Sequence, residues 1–261
     1  MNNVIAIIVT HNPEIRRFEH VVKAVSNQVS KVIIVDNNSI NRAFIESLCN
    51  NVGNCELIKL KFNAGIAYAL KVGIYYAIEK YSPEWLLFLD DDAILHTNAL
   101  NKVFNIIKNL KPTIYRKIGA VLLGYAPGDC SIKGIVYGRF SGTLIKANIA
   151  VKSCCREEFF LDHADFDRIR ELGFLTLIIN CKLVDQELGQ MRYIKVLSNI
   201  FHGPLDYEPP WRYYYIVRNG TKLLMERRMD FRTYIDQLIY WGIRTLFADG
   251  VKSFLKSLIW V

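Results

Sequence analysis

Short apolar runs recur along the first 125 residues, and each ends on polar side chains. Val4–Thr10, Lys31–Asp36 and Trp85–Asp90 are rich in Val, Ile, Leu and Phe, and read as strands buried on both faces. Residues 56–60 form a weaker run of the same type. Between these runs the period becomes helical. Residues 14–29 place Ile15, Phe18, Val21, Val22 and Val25 on one face. Residues 64–80 repeat Ile66, Ala69, Leu70, Gly73 and Ala77 at helical spacing. Buried strands alternating with amphipathic helices predict an α/β fold, with a mostly parallel sheet covered on both faces.

The second half has a less regular pattern. Residues 118–123, 134–145 and 174–180 predict further strands, with Gly138 and Gly142 as bends. Residues 159–172, 211–227 and 230–258 predict helices. Pro204, Pro209 and Pro210 interrupt regular structure before the last two. There is no internal repeat and no low-complexity stretch.

Composition fits a folded chain. Of the 261 residues, 51% are hydrophobic and 22% charged, which supports a sizeable core and excludes a disordered chain. Lys and Arg number 33 against 25 Asp and Glu, a net charge of +8. From Trp211 onward, nine basic residues face four acidic ones, so five of those charges sit at the end of the chain. No apolar run reaches the roughly 18 residues of a membrane span. Residues 1–10 lack a basic start, so a signal peptide is not expected and a cytoplasmic protein is. Six cysteines show no CxxC pair and no framework spacing, which predicts reduced thiols used for packing.

Ligands of parallel sheets collect at the carboxyl ends of the strands. Thr10, His11 and Asn12 follow the first strand, Asp36, Asn37, Asn38 and Ser39 the second, and Asp90, Asp91 and Asp92 the fourth. Asn and Ser in such places also cap helices and make turns. Three adjacent carboxylates go beyond turn chemistry, because they repel one another unless a cation sits among them. Alternation along an extended strand puts Asp90 and Asp92 on one side and Asp91 on the other. Paired carboxylates at a sheet mouth can hold Mg²⁺ or Mn²⁺, and that ion can neutralise a departing diphosphate.

Asp-x-Asp after an apolar strand also occurs in haloacid-dehalogenase-like phosphatases, as the nucleophile of the first strand. Here it lies in the fourth strand, and Gly128-Asp129 is followed by Cys130, Ser131, Ile132 and Lys133 and not by a nearby Asp. Four other segments complete an ordered set with it: Val9-Thr10-His11-Asn12, Val35-Asp36-Asn37-Asn38-Ser39, Asn63-Ala64-Gly65-Ile66-Ala67 and Ser141-Gly142-Thr143. Phe160-Leu161-Asp162-His163-Ala164-Asp165 and His202-Gly203-Pro204, with Arg212 and Arg218-Asn219 behind, extend it to residue 220. In order and spacing this set resembles glycosyltransferase family 2, in its rhamnosyltransferase-like branch.

The resemblance implies a GT-A fold and an inverting, metal-dependent hexosyltransferase that uses a nucleotide-diphosphate sugar. Residues 1–125 would bind the nucleotide-sugar, 126–220 would hold the acceptor and the base, and 221–261 would form an amphipathic helical tail. Thr10, Asn12, Asp36, Asn63, Gly65, Asp90, Asp91 and Arg212 would meet the donor. Asp90, Asp92 and His202 would hold Mn²⁺ or Mg²⁺. Asp165 best matches the base position, with Asp162 as its rival. The donor would be dTDP-rhamnose or a UDP-sugar, and the acceptor a glycan or a lipid-linked hydroxyl. His11, His20, His96 and His163 have no partner legible in the sequence. The basic, aromatic tail suits an anionic membrane surface on the inner face of the cell membrane, and no nucleic-acid reader motif is present. The competing readings are the phosphatase above and a non-catalytic nucleotide-sugar binder.

Overall fold

A computed structural model of the chain describes residues 3–136, 138–154, 162–186, 190–227 and 229–259, without the side chains of 162–165 and 190. The chain divides into two compact units, Met1–Glu187 and Leu188–Val261.

The first unit runs β1 (Val4–Thr10), α1 (Ile15–Ser26), β2 (Lys31–Asp36), α2 (Arg42–Asn50), β3 (Cys55–Lys59), α3 (Ile66–Tyr81), β4 (Trp85–Asp90) and β5 (Ile94–Leu95). It continues through α4 (Ala99–Lys108), α5 (Pro112–Lys117), β6 (Ile118–Leu123), β7 (Ser131–Gly134), β8 (Thr143–Lys146), α6 (Ala147–Ser153), α7 (Asp162–Glu171), β9 (Leu175–Asn180) and β10 (Val184–Asp185). Eight strands form one sheet in the order β3-β2-β1-β4-β8-β6-β9-β7. β3, β2, β1 and β4 are parallel, β8 is antiparallel to both its neighbours, and β9 runs parallel to β6. The mixed, mostly parallel α/β sheet expected from the sequence is therefore present.

Strand alternation divides the core in two. Val4, Ala6 and Ile8 of β1 join Trp85 and Leu87 of β4 under α1, α2 and α4, where Phe18, Val21, Ile45, Val103 and Ile107 are buried. Ile5 and Ile7 point the other way, with Leu86 and Phe88, against Ala69 and Ile74 of α3 and Ile149 of α6. Gly73 lets α3 approach the sheet closely, since a Cβ there would stand 2.7 Å from a methyl of Ile7. The helices after β1 and β2 lie on one face and the helix after β3 on the other. Right-handed crossovers require this when the strand order reverses, and the reversal falls between β1 and β4.

Two expectations are corrected. Cysteines 49 and 55 form a disulfide, as do 130 and 181, so four of the six thiols are not reduced. The end of α2 meets the start of β3 in the first pair. In the second, separated by 51 residues, β7 and β9 pair antiparallel and bring both flanks together. Chain spacing shows neither proximity. Residues 134–145 are not one bent strand but the end of β7, a connection, and the start of β8. Gly142, at φ +71°, closes that connection and donates its N–H to the Phe88 carbonyl at 2.8 Å.

The second unit contains β11 (Gln190–Arg192), α8 (Lys195–Ile200), β12 (Leu205–Tyr207), α9 (Pro210–Met225) and α10 (Phe231–Ile259). β11 and β12 pair antiparallel. α9 packs on α10, with Tyr213 and Phe254 stacked at 6.0 Å between ring centroids. Gly250 breaks the helical conformation of α10 at φ +83°. Among the described residues, no helix is long and apolar enough to cross a membrane.

Candidate active site

Three strand ends lie in one row at the reversal of the sheet. Thr10 is level with Asp36, and Val9 with Asp90. A parallel sheet opens a crevice at such a switch point, and the polar residues singled out in the sequence surround it.

The loops after β1, β2 and β3 are tied to one another by side-chain-to-backbone bonds. The Asn12 side-chain carbonyl accepts from the Ile40 N–H at 2.7 Å, and the Asn12 N–H donates to Ser39 Oγ at 2.9 Å. The Asn37 amide donates to Asn63 Oδ1 at 2.8 Å and accepts from the Ala64 N–H at 2.8 Å. Asn63 Oδ1 also accepts from the Gly65 N–H at 3.1 Å. Gly65 has φ +81° and ψ 161°, a backbone shape costly for any other residue, and α3 starts immediately after it.

Asp36 is fully buried. One of its oxygens accepts from Arg42 Nε at 2.5 Å and the other from the Ser39 N–H at 2.9 Å. Arg42 reaches on to the Leu60 carbonyl at 2.8 Å, joining the ends of β2 and β3. Burying a carboxylate is costly unless it is paired and hydrogen-bonded, as it is here.

The three aspartates divide by side. Thr10 Oγ1 donates to Asp91 Oδ2 at 2.7 Å. Burial raises the proton affinity of Asp91 and the Asp92 charge adds to it, while the Thr10 bond opposes the rise. Asp90 and Asp92 face a different partner. Gln186 Nε2 donates to Asp90 Oδ2 at 2.7 Å and to Asp92 Oδ1 at 3.0 Å. Two carboxylate oxygens thus converge on a single nitrogen, the arrangement a cation would also draw together. An all-oxygen donor pair suits a hard divalent ion. Among the described residues, no group of three or more His, Cys, Asp or Glu completes a metal cluster.

Several neighbours fix this corner. Ser141 Oγ accepts from the Asp90 N–H at 2.9 Å, and Tyr125 OH donates to the Ser141 carbonyl. Arg17 Nε donates to the Asp92 carbonyl at 2.8 Å. His96 and His11 do have partners, contrary to the sequence reading. His96 Nε2 lies 2.7 Å from Asp185 Oδ2, and His11 Nδ1 lies 2.9 Å from the Asn37 carbonyl.

The remaining expected residues lie elsewhere. Asp162 and Asp165 belong to the first turn of α7, and their side chains lie outside the described residues. Phe166 beside them is buried in the second core, which anchors that turn. His202 and Arg212 belong to the second unit. His202 is exposed in the turn after α8, at φ +56°. Arg212 pairs with Glu208 at 2.9 Å, so a carboxylate of its own unit already meets its charge. Sequence reading missed Gln186, Arg17 and Arg42. Each lies far along the chain or on a helix face that carries no motif. The β5–β10 pairing, with Arg17 bridging both segments, brings Gln186 back to Asp92.

A family model described as Glycosyl transferase family 2 matches residues 5–119. The dTDP-rhamnosyl transferase RfbF of Shigella flexneri is 26% identical over 273 residues, covering 94% of this chain and 87% of its own length. TarS 1-349 of S. aureus, solved in complex with UDP-GlcNAc, is similar in fold with a TM-score of 0.56 at 13% identity, over 94% of this chain and 72% of that one. The mannosyltransferase PcManGT from Pyrobaculum calidifontis, solved with GDP-Man and Mn²⁺, gives a TM-score of 0.57 at 15% identity, over 98% and 74% of the two chains. Residues 5–119 thus match the glycosyl transferase family 2 model, and the chain is a glycosyltransferase of GT-A fold that is similar over most of its length to a dTDP-rhamnosyl transferase.

Proposed function

We propose that the chain moves a sugar from a pyrimidine nucleoside-diphosphate donor to an acceptor hydroxyl, with inversion and with the help of a divalent cation. The observation that carries this reading is the convergence of the Asp90 and Asp92 carboxylates at the switch point of the sheet. dTDP-rhamnose is the first choice of donor, since the 26% identical relative is a dTDP-rhamnosyl transferase; a UDP-sugar is the second. The acceptor is a glycan or a lipid-linked hydroxyl.

Thr10, Asn12 and Asp36 would frame the base and ribose, and the Asn63–Gly65 turn would bring the start of α3 to the diphosphate. Asp90 and Asp92 would hold Mn²⁺ or Mg²⁺. When bound, the ion offsets charge that builds on the leaving diphosphate. Asp165 takes the proton of the acceptor hydroxyl, whose own acidity is far too weak for reaction at neutral pH. The acceptor oxygen then bonds to the anomeric carbon as the bond to the diphosphate oxygen breaks on the opposite face, which inverts that centre.

Thermal unfolding with a panel of nucleotides tests this reading. A ligand that binds the folded chain alone stabilises it by about 2.7 kcal/mol at a hundredfold excess over Kd. The expected result is a Mn²⁺-dependent rise in Tm with dTDP or UDP, lost in Asp92→Ala. A flat response to every nucleotide overturns it.

The tail carries a second part of the proposal, contact with an anionic membrane. Ile239, Ile243 and Phe247 before the Gly250 break, and Val251, Leu255 and Ile259 after it, stand at four-residue spacing and are all exposed, with Arg244 on the first part and Lys252 and Lys256 on the second. Such a helix gains from apolar burial and from attraction to anionic lipid. Sedimentation with phosphatidylserine-containing vesicles should recover the full chain in the pellet, and recovery should fall when Phe247 and Val251 are both replaced by Ser. Equal recovery of the two proteins removes the membrane from the account.

A further inference from the structure

Gln186 is placed with unusual care for a residue just beyond a two-residue strand. β10 pairs antiparallel with β5, setting Asp185 opposite Ile94, so the next residue returns toward the turn that begins at Asp90. Arg17 bridges the two segments, donating to the Asp92 carbonyl at 2.8 Å and to the Asp185 carbonyl at 3.3 Å. The Asp185 carboxylate is held in turn by His96, at 2.7 Å, and by Lys182. A shell of this kind fixes the orientation of a residue at a site.

The Gln186 amide is satisfied at one end only. Nε2 donates to Asp90 Oδ2 at 2.7 Å and to Asp92 Oδ1 at 3.0 Å. Oε1 is buried and has no hydrogen-bond partner. A buried carbonyl left unpaired is costly. Rotation of the amide by 180° about its terminal torsion exchanges oxygen and nitrogen without changing the shape of the side chain. In the rotated state an oxygen faces two carboxylates, which is repulsive unless a cation lies between them.

We propose that Gln186 is the third protein ligand of the divalent cation, through Oε1. In the metal-free chain its Nε2 takes the place of the ion and keeps the two carboxylates together. Binding of the ion and rotation of the amide are then one event. This inference rests on the metal reading of Asp90 and Asp92 given above. A neutral amide oxygen supplies a hard ligand and adds no charge, so two carboxylates balance the ion, and its remaining positions stay open to the diphosphate.

Electron paramagnetic resonance of free Mn²⁺, titrated with the full chain in the presence and absence of dTDP, measures ion affinity without any turnover. Gln186→Met keeps the length of the side chain and removes the amide. The expected result is a Kd for Mn²⁺ about 10- to 100-fold weaker than in the unchanged chain. Gln186→Glu, which keeps an oxygen, should bind Mn²⁺ at least as tightly as the unchanged chain. The same variant should melt below the unchanged chain in EDTA, where three carboxylates repel. If Gln186→Met fails to fold, Gln186→Asn, which draws the amide back by one methylene, carries the same loss of affinity. Unaltered Mn²⁺ affinity in Gln186→Met, alongside its loss in Asp92→Ala, overturns the role of Gln186 and leaves the metal reading standing. Unaltered affinity in Asp92→Ala, or no binding by the unchanged chain with dTDP present, overturns the metal reading and this inference with it.

Discussion

Asp92→Ala should lower the initial rate of nucleoside-diphosphate release at least about a thousandfold, equivalent to roughly 4 kcal/mol of lost transition-state stabilisation. The fold should survive the change. The Asp92 carboxylate bonds to Gln186, whereas its backbone carbonyl receives Arg17 Nε and stays in place. The lost rate therefore reports on the carboxylate and not on the turn that carries it. Asp91→Asn is the matched comparison, because that carboxylate is turned toward Thr10 and away from Gln186. It should cost less than tenfold. Near-normal activity in Asp92→Ala, with an unchanged far-ultraviolet spectrum, would remove the cation from the mechanism.

Asp165→Asn should reduce kcat by about 10²- to 10⁴-fold, the usual range for loss of a positioned base. The KM for the donor should change little, because the base acts on the acceptor proton. Asp162→Asn, at the first position of α7, should reduce kcat by less than tenfold. The pH profile separates this role from a structural one. A base must be deprotonated, so the rate of the unchanged chain rises with pH through the pKa of that group. In Asp165→Asn the rising limb should vanish, with the residual rate flat over the same interval. A larger loss in Asp162→Asn than in Asp165→Asn would exchange the two assignments.

Much of the first unit was legible because its strands are buried on both faces. β1, β2 and β4 begin and end where the apolar runs do, since a parallel strand covered by helices leaves no polar alternation to blur its limits. The 134–145 stretch was misread for the converse reason. Gly142 closes a connection where it meets Phe88 and Tyr125, and Gly138 lies against Leu122, residues remote in sequence. The acidic cluster at the end of β4 was also legible, as was the separation of Asp91 from its neighbours, because alternation is a local property. The Gln186 bridge and the 130–181 disulfide depend on long-range register, which no local pattern contains, and Arg42, only six residues after Asp36, stands on a helix that carries no motif.

³¹P nuclear magnetic resonance follows divalent-ion-dependent cleavage of a nucleotide-sugar directly. The full chain is incubated with dTDP-rhamnose, and separately with UDP-sugars, together with diamagnetic Mg²⁺ and extracted lipid-linked glycans. The signal of free dTDP or UDP should grow, and should stop growing when EDTA is added. Release of inorganic phosphate in its place, or diphosphate release that continues unchanged in EDTA, would contradict the account.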